Sequence, residues 1–318
     1  MFTRRQTVIG LGAFGFGACR RQTNLKVLPS VSIHRAPGYT NELYGLMKGI
    51  LAQHQVDARG RRIVLKPNLV EFDERTAINT NPVFVHAIAE AFHSLGAASV
   101  VIAEGPGHRR ITLDLAEAAG YENTFRGFPS VFTDLNLDEV TRVTLRNPVS
   151  RLRSLYLPQT VLNGDLLVSL PKMKTHHWVG ATLSMKNLFG VVPGSVYGWP
   201  KNILHWAGIE ESIVDINGLF PKRFAIVDGI VGMEGNGPIQ GTPKKAGVIV
   251  AGFDPVAVDA TCCRIMEIDP EQIGYLVRAQ TAEQTRHQGV RQIGERIEDV
   301  RSPFALLPQF KKIRLARA

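Results

Sequence analysis

The sequence predicts an α/β fold, a mainly parallel or mixed sheet with helices on both faces. Three observations predict it. Short apolar runs alternate with longer segments of helical apolar spacing. Several of those runs are continuous rather than alternating in polarity, as in parallel strands covered on both sides. Three helix starts are marked by an N-cap residue followed by proline, which is pre-set for the first helical position.

The expected strands are Val31–His34, Arg62–Leu65, Ser99–Ala103, Leu166–Leu170, Phe224–Val227 and Val248–Ala251. The expected helices open at Asn81-Pro82, Asp254-Pro255 and Asp269-Pro270 and run to about Gly96, Glu267 and Gln280. Residues 121–160 alternate weakly and read as an insertion or small subdomain. Residues 20–310 otherwise read as a single domain, and 311–318 as a basic tail.

The first nineteen residues read as an address. Thr3-Arg4-Arg5-Gln6-Thr7 precedes an uncharged run from Val8 to Ala18 and then Cys19. A cationic start, a short apolar run and small residues are the parts of an export signal. The run is too short to span a bilayer, which takes ~20 helical residues. The arginine pair resembles a twin-arginine signal, and Gly17-Ala18-Cys19 resembles a lipoprotein cleavage box. Thr7 and Phe16 depart from those patterns. The expectation is an exported protein, periplasmic or membrane-anchored through Cys19 on the outer side of the inner membrane.

Composition excludes some functions. The 318 residues carry a formal charge of +9. Without residues 1–19, 35 basic residues face 28 acidic ones, and four of the basic ones lie in the tail. A body near +3 argues against nucleic acid as a partner. Besides Cys19 the chain has only the neighbours Cys262 and Cys263. With no Cys-x-x-Cys, no iron–sulfur cluster is expected from this chain alone.

Polar residues cluster where apolar runs end. Lys66-Pro67-Asn68 follows Ile63-Val64-Leu65, Lys172 and Lys174 follow the run ending at Pro171, Asp228 follows Val227, and Asp254 follows Phe253. Open α/β sheets bind ligands at the carboxyl ends of their strands. From Pro171 to Gly190 the chain holds Lys172, Lys174, Lys186, His176 and His177 without one carboxylate. Lys186 can serve a ligand or reach to water. Asp259 sits on an otherwise apolar helix and needs a partner if buried, whether a lysine, backbone amides or a metal. All three tryptophans, with Lys201 and His205, fall between residues 178 and 206. Gly190 to Pro200 reads as a loop that could cover a pocket. The glycine-rich stretch 229–241 reads as a second loop, without the residues of a Walker or dinucleotide motif.

Five blocks carry a family resemblance: Lys66-Pro-Asn68-Leu-Val70, Pro171-Lys-Met-Lys174-Thr-His176, Met185-Lys186-Asn187-Leu-Phe-Gly190, Asp228-Gly229 with Met233-Glu234-Gly-Asn236-Gly-Pro238, and Asp254-Pro-Val-Ala-Val-Asp259. Their order resembles the DUF362 family over about residues 31–285. Many relatives carry a ferredoxin-like segment that is missing from this sequence. The resemblance implies one site built from Lys66, Lys172, Lys174, His176, Lys186, Asn187, Asp228, Glu234, Asn236, Asp254 and Asp259. Asn68 belongs to the same blocks.

Several lysines in one place suit phosphate or carboxylate groups. The expected function is an enzyme acting on a small anionic ligand. Lys66, Asn68, Lys172, Lys174, Lys186, Asn187, Asn236 and Asp254 would bind the ligand, and His176, Asp228 and Asp259 would be catalytic. Asp228, Glu234 and Asp259 could hold a divalent cation. The alternative is a non-catalytic ligand-binding protein or an accessory to an envelope redox partner.

Overall fold

The computed structural model describes residues 28–107, 111–283 and 289–316. Arg4, Arg5 and Cys19, which carry the export expectations, lie outside the described residues.

The strands are β1 (Ser30–Arg35), β2 (Arg62–Pro67), β3 (Ser99–Glu104), β4 (Phe132–Asp134), β5 (Val140–Thr144), β6 (Ser154–Pro158), β7 (Leu166–Leu170), β8 (Lys172–His176), β9 (Gly180–Thr182), β10 (Arg223–Glu234), β11 (Thr242–Gly252) and β12 (Arg291–Gly294). The main sheet has the order β12-β1-β11-β10-β7-β2-β3-β4, with β8 and β9 attached beside β10. Along this order β11 alone runs against the others. β5 and β6 pair only with each other, and β4 extends the edge of the main sheet, so residues 121–160 are divided between the two sheets.

Side chains alternate across the sheet with the period of two that extended backbone imposes. Ile63 and Leu65 of β2 enter one core, shared with the helices Glu42–Gln53 and Pro82–Ser94. Val64 enters the other, shared with the helices Ile209–Gly218, Pro255–Ile265 and Gly274–Glu283. Burial on both sides explains why these strands read as unbroken apolar runs.

The three proline-marked starts are capped. Asn81 Oδ1 accepts from Val83 N at 2.9 Å, Asp254 Oδ1 from Ala257 N at 3.0 Å, and Asp269 Oδ1 from Glu271 N at 3.0 Å. After Asp269 the chain makes a 3-10 turn, Pro270–Gln272, and the α-helix begins only at Gly274.

Two expectations for loops change. The stretch after Val227 continues as strand to Glu234, with a register shift between Gly229 and Val231. Glycine is needed there for close packing, since a Cβ on Gly232 would lie 2.5 Å from Met173 O. Residues 190–200 contain a 3-10 turn and the short helix Gly194–Tyr197. The tail also docks as far as Leu315, whose N donates to Glu267 O at 3.0 Å. Ile313 is buried, and the Arg314 guanidinium donates to the carbonyls of Met266, Glu267 and Phe304.

Candidate functional site

At the carboxyl ends of β2 and β3 lies a cavity of about 250 Å³. Its floor is an ion pair. Lys66 Nζ ends β2 and meets Glu104 Oε2 of β3 at 2.5 Å, with both side chains 1% exposed. Glu104 also accepts from Leu69 N and Gly105 N, and Asn187 Nδ2 donates to Lys66 O. Gly190 lets the backbone pass over this pair, because a Cβ there would collide with the Glu104 carboxylate and Lys66 Nζ.

Three more lysines enter the same cavity. Lys174 Nζ donates to Ile78 O at 2.9 Å and Pro238 O at 3.2 Å. Lys201 Nζ donates to Gly105 O at 2.5 Å and Gly190 O at 3.4 Å. Its backbone is held at φ +66°, a left-handed conformation that costs a non-glycine residue about 1 kcal/mol or more and turns it inward ahead of the helix Asn202–Trp206. Lys186 Nζ stands 3.7 Å from the centre of the Phe189 ring. Glu104 is the carboxylate among the lining residues.

Burial dominates their titration. It pushes Lys186 and Lys201 down to about 7, and Lys174 well below the usual lysine range. Neighbouring lysines add to the shift in each case. His176 is also held well below its ordinary range, first by burial and then by Lys186. Its Nδ1 accepts from Trp178 N at 3.0 Å, so the hydrogen-bond network assigns the proton to Nε2.

Polar atoms without partners line the same space. Among the described residues, Asn68 Oδ1 and Thr182 Oγ1 are buried and accept or donate no hydrogen bond. Asn68 is 7% exposed and Thr182 4%. Buried polar groups are rarely left unpaired, and each costs about 1–3 kcal/mol in that state. The rim is aromatic: Trp178 is 61% exposed and packs edge-on against His205 at 5.1 Å between ring centres.

Of the sequence-derived candidates, Lys66, Asn68, Lys174, His176, Lys186 and Asn187 line the cavity. The rest do not. Lys172 and Asp228 form a closed cluster beside it. Lys172 Nζ meets Asp228 Oδ2 at 2.6 Å, and Asp228 also accepts from Tyr39 Oη, Asn81 N and Ile230 N. Tyr39 and Lys172 border a second cavity of about 260 Å³ instead. Asp254 lies at the opposite edge, because β11 runs against its neighbours and its carboxyl end is at their amino ends. There it caps a helix.

Asp259 meets no lysine. Its carboxylate accepts from Ser184 N at 2.8 Å, Ser184 Oγ at 2.5 Å and Met185 N at 3.0 Å. It therefore caps from a distance the helical turn Ser184–Asn187, which presents Lys186 and Asn187. Burial pushes this carboxyl up to about 7, against those donated hydrogen bonds. Glu234 pairs with Lys244 at 3.6 Å and accepts from Ala305 N, and Asn236 bonds Gln240. Asp228, Glu234 and Asp259 thus have three separate sets of partners and do not form a shared ligand set. Among the described residues, no three His, Cys, Asp or Glu side chains converge as a metal site would require. Cys262 and Cys263 are free and buried.

Glu104, Thr182 and the inward-turned Lys201 are site residues that sequence reasoning left out of the ligand set. Glu104 carried the signal already used for Lys66, since it ends an apolar strand before Gly105-Pro106-Gly107. Thr182 carried none, because β9 is three residues long.

A family model for the domain of unknown function DUF362 matches residues 63–264. The chain belongs to this family. It is also 29% identical over 224 residues to the thylakoid-associated protein sll1697 of Synechocystis, covering 67% of this chain and 65% of that protein. The chain therefore spans just under two thirds of this relative's length. Among solved structures, the lactate racemase apoprotein of Thermoanaerobacterium thermosaccharolyticum superposes with a TM-score of 0.47 at 13% identity, over 75% of this chain and 57% of that one. A structural-genomics protein of Thermotoga maritima gives 0.42 at 13% identity, over 76% and 59%. The α/β assignment rests on the sheet itself.

Proposed function

We propose that this DUF362 protein binds a small anionic molecule in the cavity at the carboxyl edge and acts on it as an enzyme. The observation that carries the reading is the charge count of the lining: four lysines against Glu104. Buried cations without carboxylates cost several kcal/mol each, and an entering anion would offset that cost. Asn68 and Thr182 would then pair with the ligand's polar groups.

The test uses sulfate, which does not titrate near neutrality. Sulfate should raise the melting temperature of the wild-type protein above a chloride control of equal ionic strength, and Lys186→Met and Lys201→Met should lose that rise. Equal melting temperatures in sulfate and chloride would overturn the reading.

Export is proposed as well, on the arginine pair and the apolar run before Cys19. The thylakoid association in the relative's name supports a setting beside a membrane. Among the described residues, no helix is long and apolar enough to cross one. Replacing Arg4 and Arg5 by Lys should leave the protein inside the cell, and unchanged export of that variant would reject the twin-arginine route. Cys19→Ala should release the mature chain from membranes, and a variant that stays bound would reject the lipid anchor.

A further inference from the structure

The cavity lysines are not equivalent. Lys66 Nζ is held by Glu104, Lys174 Nζ by two backbone carbonyls, and Lys201 Nζ by Gly105 O and Gly190 O. Each keeps its place by hydrogen bonds to a carboxylate or to backbone carbonyls. Lys186 differs. Among the described residues its amine has neither a carboxylate nor a carbonyl partner, and it rests on the Phe189 ring in the cavity wall. His205 packs edge-on against the same ring at 6.1 Å between centres.

Resting on the anion-site reading above, we propose that Lys186 is a covalent amine nucleophile and that the anionic ligand carries an aldehyde or ketone group with which it forms an imine. In this step the Nζ lone pair attacks the carbonyl carbon and the C–O π bond opens. The two amine protons pass to the oxygen, with His205 as the relay. The oxygen leaves as water while the C=N bond forms. Nothing is oxidised or reduced, and the imine then serves as an electron sink for chemistry at the adjacent carbon.

The surroundings suit the reaction. A lysine attacks only as the free amine, and burial beside another cation is the environment that favours this form. Burial and the nearby Lys66 leave Lys186 half-deprotonated near pH 7. The aromatic ring holds the amine without capturing its lone pair. Lys174 and Lys201 remain to hold the ligand's carboxylate or phosphate.

Reductive trapping tests this directly. The full mature chain is incubated at pH 7.5 with glyoxylate or pyruvate, the smallest carbonyl-bearing carboxylates, and sodium cyanoborohydride, and the adducts are mapped by peptide mass. Labelling at Lys186 should exceed that at the exposed Lys48 and Lys222 by more than about tenfold, reflecting its larger free-amine fraction. Sulfate should suppress it. Lys186→Arg and Lys186→Met should both abolish it, and Lys201→Met should raise the probe concentration required. Labelling spread evenly over exposed lysines, or none with either probe while sulfate still binds, overturns the imine and leaves the anion site standing. If sulfate also fails to bind, the anion-site reading falls with it.

Discussion

Two neighbouring groups of buried lysine show opposite solutions to one electrostatic problem. Lys172 and Lys174 are two residues apart on β8. Lys172 meets Asp228, Tyr39 Oη completes the cluster at 3.0 Å, and the Asp228 carboxylate has donors on both oxygens. That cluster is electrically closed. Lys174 opens onto a cavity with three further lysines and Glu104. There Lys66 alone pairs with the carboxylate, while Lys174, Lys186 and Lys201 rest on carbonyls or an aromatic ring, and burial with neighbouring lysines lowers their pKa values. The difference teaches where to look for function. A closed pair holds the fold, whereas a surplus of one charge awaits a counter-charge from outside.

Breaking the closed pair should have the largest effect. Asp228→Ala strands Lys172 in the interior and should cost about 3–5 kcal/mol in denaturant unfolding. The same loss in Lys186→Met would erase the contrast between the two groups. Removing an uncompensated cation should instead leave stability unchanged or higher. Its effect belongs to ligand binding, with sulfate affinity falling by about ten- to a hundredfold, the worth of ~1.5–3 kcal/mol for contacts to a charged group, as read by calorimetry.

Asp259→Ala sharpens the comparison from below. It should cost about 1–3 kcal/mol by stripping an acceptor from the amides of Ser184 and Met185. Sulfate affinity should fall only as far as the turn carrying Lys186 loosens, so a loss larger than that of Lys186→Met would show a direct role in binding.

A further way to sharpen the comparison is the dependence on pH. Lys186 and Lys201 have folded pKa values of about 7, below their unfolded values near 10.5. Between these the unfolded chain binds more protons, so the stability of the ligand-free protein should rise with pH from about 7 to 10.5. Sulfate needs the charged lysines. Its affinity should be flat below pH 7 and fall by up to about tenfold per pH unit above it for each proton taken up on binding. Lys186→Met should flatten part of both trends, and parallel trends in stability and affinity would contradict the assignment.

Local physics made much of this protein legible in one dimension. Continuous apolar runs marked the strands because both faces of the sheet are covered. Asn81, Asp254 and Asp269 marked their helical starts because a cap is a contact between residues two or three apart. Lys174 and Lys186 stood out because a lysine without nearby carboxylates is visible in the sequence itself, and Lys66 because it ends an apolar run.

Tertiary structure alone decided which charges meet. Asp254 followed an apolar strand just as Lys66 did, yet the reversed direction of β11 put it at the far edge. Asp259 found Ser184 from 75 residues away, and Asp228 closed on Lys172 from 56. Lys201 entered the cavity through a left-handed backbone that its side chain does not favour. Hydrophobic periodicity repeats along the chain and can be read there, whereas an ion pair depends on strand order and direction, which arise only when the whole sheet assembles.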